Sequence, residues 1–107
     1  MKTAQYADLL PFEAEEAVAS VGAMIALARR ARGWTQADLA AKMGTSVNTI
    51  VNIEKGRPSV AFGQIVNALW VLDSLGPLRD ALRPENDPVI RQAVLDHVSR
   101  RPGGRRG

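Results

Sequence analysis

The chain has 107 residues, a formal net charge of +3 and a pI near 10.0. That length supports one ordinary domain. The absence of cysteine excludes disulfides, thiolate zinc sites, iron–sulfur clusters and a cysteine nucleophile, and the single histidine, His97, cannot build a histidine-rich metal site. No cofactor or metal is therefore expected. The apolar run 21–28 falls well short of the roughly 18 residues that a membrane span needs, and 1–10, which carries Asp8, does not read as a signal peptide. A soluble protein in the cytoplasm is the expectation.

Helical periodicity dominates the chain, which predicts an all-α fold, a compact bundle of five short helices with a sixth as a further candidate. The first helix spans 13–32, with Val18, Val21, Ile25, Ala28 and Arg32 recurring at spacings of three and four as its inner face. Gly33 ends it, and the arginines just before the glycine sit favourably at the negative end of the helix dipole. Thr35 then caps a second helix, with Asp38 three residues on completing a capping box, and Trp34 is placed to close over Leu39 as a hydrophobic staple. Gly44 ends this helix at Met43, and Ser46 caps a third over 47–55.

Gly56, Arg57 and Pro58 break the chain. Ser59 is expected to cap a fourth helix reaching Leu72, with Val60, Ile65, Val66, Leu69 and Leu72 facing inward. A fifth helix is expected over 74–83, with Pro77 in its first turn. Asp87 and Pro88 start the sixth candidate, which carries Val89, Ala93, Val94 and Val98 on one side. The expected organisation is an extension at 1–12, a main domain at 13–83, an extra helix within 84–98, and a tail at 99–107 with no apolar residue to bury.

Charge is unevenly spread. Residues 1–20 carry −3, residues 29–57 carry +4, residues 58–98 carry −2 and the last nine carry +4. A basic centre and a basic tail are what a phosphate-binding footprint requires, and on charge alone a solvated surface fits equally.

The segment 35–56, TQADLAAKMGTSVNTIVNIEKG, has the spacing of a DNA-binding helix-turn-helix. Ala40 is small where two steeply crossing helices must touch, and Gly44 supplies the left-handed backbone of a tight turn. Ile50 and Ile53 anchor the second helix of the pair, leaving Asn48 and Asn52 outward.

Through Thr35-Gln36, Leu39-Ala40, Gly44, Ser46, Thr49-Ile50, Ile53-Glu54 and Gly56, the sequence resembles the Xre/Cro family of helix-turn-helix regulators over about half the chain. The resemblance implies that 46–55 is a recognition helix, with Val47, Asn48 and Asn52 meeting base edges in the major groove. Asparagine suits bidentate pairing with adenine, and Val47 suits a thymine methyl where relatives often carry Gln or Arg. It further implies phosphate contacts from Gln36, Ser46, Thr49, Lys55 and Arg57, and a structural ion pair between Arg29 and Glu54. Trp34 and Trp70 are read as packing residues and not as base-stacking platforms.

The implied function is a sequence-specific regulator, a repressor, binding a double-stranded DNA operator as a homodimer. Trp70, Leu75, Leu78 and Leu82 belong to an apolar surplus expected at the subunit interface. The stretch 57–63 and the leucines after it look like the HipB-type antitoxins, which implies a HipA-like kinase toxin as a second partner. A second class also fits, a helical protein-interaction module that does not read DNA, since Val47 and Val51 lie on or near the exposed face. An enzyme is not expected, because His97 lacks a nucleophile and carboxylate arrangement, and Gly103 and Gly104 follow no strand and precede no Lys-Ser or Lys-Thr.

Overall fold

The computed structural model describes residues 10–100, and within them every regular element is helical. Six α-helices occur: α1 (Phe12–Ala31), α2 (Gln36–Met43), α3 (Val47–Glu54), α4 (Phe62–Val71), α5 (Leu75–Ala81) and α6 (Pro88–Arg100), with a 3-10 turn at Pro84–Asn86. The chain divides into two compact units, one ending at Leu75 and the other starting at Gly76.

The first unit holds the core. Ile25, Leu39, Ile50, Ile53 and Leu72 are fully buried, drawn from α1, α2, α3 and the end of α4, with Ala40, Ala68 and Leu69 around them. α1 packs on α3, and α2 packs on both α3 and α4. Ala40, almost completely buried, lets α2 and α3 cross closely. Asn67 of α4 donates from Nδ2 to the Met43 carbonyl at 3.2 Å, which satisfies one of the open carbonyls at the end of α2.

Helix ends here are made by local chemistry. Thr35 Oγ1 accepts from the Asp38 amide at 3.0 Å while Asp38 Oδ2 accepts from the Thr35 amide at 2.8 Å, a complete capping box. Ser46 Oγ accepts from the Thr49 amide at 3.2 Å. The first three helices each end in a left-handed glycine, Gly33, Gly44 and Gly56. At each, paired backbone bonds fold the chain back on the last turn, as where Gly44 N donates to Ala41 O and Thr45 N to Ala40 O. α4 ends with the same bond pattern on Asp73, at φ +55°.

Several expectations are corrected. The buried face of α1 is Gly22, Ile25, Ala26 and Arg29, with Val18 half-buried, whereas Val21 and Arg32 lie outside it. The reason is a close backbone approach. A Cβ on Gly22 would stand 2.3 Å from the Ile53 carbonyl oxygen, and one on Gly56 would stand 2.6 Å from Ala19 Cα. The helix therefore rotates to put its glycine, and not a valine, against the end of α3. Ser59 does not cap α4. It lies within a turn closed by the Val60 amide on the Arg57 carbonyl, and the helix starts two residues later from Ala61 without a side-chain cap.

α5, which begins at the last residue of the first unit, is shorter than expected, ending at Ala81, and no residue of α5 or α6 is buried. Asp87 Oδ1 accepts from the Val89 and Ile90 amides at 2.9 and 3.0 Å and so starts α6. That helix runs through Ser99 and Arg100, which the sequence places in the tail. Ser99 stays helical with its hydroxyl donating to the Leu95 carbonyl at 2.9 Å. The rest of the tail, 101–107, and residues 1–9 of the N-terminal extension lie outside the described residues.

Because the groups facing Gly22 are backbone atoms that cannot rotate away, Gly22→Ala is expected to lower stability by about 1–3 kcal/mol, read as a lower urea midpoint at unchanged m.

Candidate nucleic-acid interface

The site is organised by a charge inside the first unit. Arg29, carried on the inner face of α1, is almost fully buried. Its Nε donates to Glu54 Oε2 at 2.6 Å and its Nη2 to Glu54 Oε1 at 3.0 Å, a two-pronged pair with both side chains under a tenth exposed. Nη1 donates to the Trp34 carbonyl at 2.7 Å, in the turn between α1 and α2. Gln36, the first residue of α2, donates from Nε2 to Glu54 Oε1 at 3.0 Å. One carboxylate at the end of α3 is thus held by α1 and by the start of α2.

Burial alone would favour the neutral acid at Glu54. The hydrogen bonds from Arg29 and Gln36 and the nearby positive charge outweigh it, so the carboxyl titrates below its ordinary value. Donating to Glu54 raises the Arg29 pKa in turn. Asp38 is likewise depressed, first by the Thr35 amide and then by its hydroxyl.

Against this frame α3 presents its outer side. Ile50 and Ile53 are buried, Val47 and Asn48 are exposed, and Val51 and Asn52 are half-buried. Ser46 and Thr49 stand at the N-terminus of α3 with their hydroxyl oxygens 3.0 Å apart. Lys55 and Arg57 are both exposed and lie just past the C-terminus of α3. The helix pair therefore offers amides, hydroxyls and apolar groups along α3, with cations beyond its end.

The remaining expected site residues are those of the apolar surplus. Trp70 is two-thirds exposed on α4, and Leu75 is half-buried, both within the first unit. Leu78 is half-buried and Leu82 two-thirds exposed in the second unit. Leu69 and Leu72, expected to face inward from the fourth helix, are core residues.

Three features escape a reading of the sequence. The Gln36 to Glu54 bond joins residues on two helices and has no local signal. Lys42 sits with its ammonium 4.5 Å from the centre of the Trp34 ring, a cation–π contact at i+8 across a helix start. Gly22 carries a signal that was available, a glycine in register with Val18, Ile25 and Arg29 on one helix face. Among the described residues no cluster of three or more His, Asp or Glu is placed to hold a metal ion, and no helix is long and apolar enough to cross a membrane.

A helix-turn-helix family model matches residues 25–65. The chain is 33% identical over 66 residues to an uncharacterized HTH-type transcriptional regulator, y4mF, of Sinorhizobium fredii (strain NBRC 101917 / NGR234), an overlap that covers 62% of this chain and 83% of that protein. No solved structure matches the chain.

Since Glu54 is ionised more readily in the fold than when unfolded, its stabilisation is complete above the ordinary value of 4.5 and drains away as pH falls through its lower value in the fold. Glu54→Gln is expected to cost about 3–5 kcal/mol at neutral pH, by leaving Arg29 buried without its counter-charge. The gap to wild type should narrow steadily in melts taken below pH 4.5.

Proposed function

The chain belongs to the helix-turn-helix family of transcriptional regulators, and from that premise we propose that it is a sequence-specific DNA-binding repressor acting as a homodimer in the cytoplasm. The observation that carries the proposal is the α2–α3 pair itself. Its two short helices are joined through Gly44, Thr45 and Ser46, and α3 is anchored by Ile50 and Ile53 with Val47, Asn48 and Asn52 on its outer side. In this reading α3 enters the major groove and those three residues meet base edges.

Phosphates fall to the periphery. The N-terminus of α2 offers backbone N–H groups to one phosphate, and Gln36 keeps a second amide N–H after its bond to Glu54. Ser46 and Thr49 add hydroxyls, and Lys55 and Arg57 add charge on the other side of α3. Dimerisation follows from information content, because one helix reads only a few base pairs and a two-fold pair reads twice as many. Trp70, Leu75, Leu78 and Leu82 supply the apolar surface assigned to that contact, and the exposure of Trp70 and Leu82 supports it. The HipB-like stretch at 57–63 adds a narrower reading, in which the same protein also captures a HipA-like kinase toxin; co-purification with the product of a kinase-like neighbouring gene tests it.

Gel shifts across a salt series test the phosphate roles. Arg57→Ala should weaken binding to all sequences and lower the slope of log affinity against log salt by about one, and Gln36→Ala should weaken binding with the slope kept. A chain that binds no DNA under any of these conditions is an interaction module instead.

Trp70→Glu with Leu82→Glu should give a folded monomer by light scattering, because neither side chain belongs to the core. Operator binding should fall by an order of magnitude or more as the second half-site is lost.

A further inference from the structure

Resting on the DNA-reading role proposed above, we infer that the bases contacted by α3 are A·T pairs, recognised by adenine amide pairing and thymine methyl contact, with no guanine in the contacted positions. The inference comes from where the structure puts the charges. Guanine is read in the major groove by the paired donors of Arg or Lys, and cytosine by a carboxylate.

The segment 29–57 is rich in cations, but the structure gives three of them partners within the fold and carries none of the six on α3. Arg29 is spent on Glu54 and the Trp34 carbonyl. Arg32 donates to the Ala28 carbonyl at 2.8 Å and to the Leu72 carbonyl. Lys42 lies over the Trp34 ring. Arg30 belongs to the last turn of α1, and Lys55 and Arg57 follow the end of α3. The one carboxylate of α3, Glu54, is occupied by Arg29 and Gln36.

What α3 offers outward is Val47, Asn48, Val51 and Asn52, at i, i+1, i+4 and i+5 on one side of a helix whose other side is Ile50 and Ile53. The Ser46 and Thr49 hydroxyls meet each other at the helix start, and Ser46 also caps the Thr49 amide. Two carboxamides and two branched aliphatic groups therefore form the reading surface. An asparagine amide matches the N6 donor and N7 acceptor of adenine, and a valine matches the thymine C5-methyl that the partner strand presents beside it.

Selection of bound duplexes from a random double-stranded library by the full chain tests this. The expected motif has A·T pairs at its contacted positions. Exchanging a contacted A·T pair for G·C should weaken wild-type binding roughly 5- to 150-fold, and much less for Asn48→Ala or Asn52→Ala. Replacing the contacted thymine by uracil removes one methyl and should cost wild type roughly 4-fold while leaving Val47→Ala unaffected. A selected motif with G·C pairs at the contacted positions overturns the inference and leaves DNA reading intact, as does an equal uracil penalty in wild type and Val47→Ala. Salt-dependent binding with no enriched motif overturns sequence reading itself, and the A·T assignment with it.

Discussion

Arg29 carries a full charge into the first unit's interior, and a buried guanidinium is tolerated only when its donors are matched. Five N–H groups in a rigid plane demand acceptors in fixed directions. Glu54 provides two of them and the Trp34 carbonyl a third. An apolar side chain in the same place would fix only how near α1 and α3 lie. The guanidinium also fixes how α3 is turned about its axis, because the Glu54 carboxylate must stay in the plane of the fork. Since Glu54 lies in the last turn of α3, that rotation decides which residues of the helix face outward.

The same carboxylate reaches Gln36 at the start of α2, so α2 and α3 are coupled twice, through their apolar contact at Ala40 and through a polar bond near their far ends. Gly22 and Gly56 bring the α1 and α3 backbones into direct contact beside this network. Close backbone packing is intolerant of sliding, and an ion pair is intolerant of rotation. Together they leave α3 little freedom relative to α1. In the proposed function such rigidity serves base reading, because a bidentate base contact is lost with small angular errors.

What could be read from the sequence was mostly local. The capping box at Thr35 and Asp38, the Ser46 cap and the glycine stops each depend on residues within a few positions of one another, and the structure contains all of them. Tertiary choices were harder. Spacings of three and four put Val18, Val21, Ile25, Ala28 and Arg32 on one stripe of α1 and give no weight to a glycine, whereas the packed face is Gly22, Ile25, Ala26 and Arg29. Ser59 has the chemistry of a cap but sits in a turn that delays the helix to Phe62. Asp73 takes a left-handed conformation that sequence reasoning assigns first to glycine or asparagine. In the site, the exposure of Val47 and Asn48 followed from helical spacing once Ile50 and Ile53 were placed inward. The bond from Gln36 to Glu54 depends on how three helices meet, which no spacing rule encodes.

Counting charge along the sequence overstates the electrostatic footprint. Of the six cations in 29–57, Arg29, Arg32 and Lys42 have partners inside the fold, and Arg30, Lys55 and Arg57 remain to face a polyanion. If each met one phosphate, this segment would contribute a slope of log affinity against log salt of only about −2.7. In the proposed function, a segment with three free cations and an α3 surface of two amides and two valines gains little from either source alone. The proposed homodimer joins two such surfaces, so that the second half-site is met at an effective concentration fixed by the first. In the proposed function, dimerisation is accordingly the step on which affinity depends, and α3 decides only where on the duplex that affinity is used.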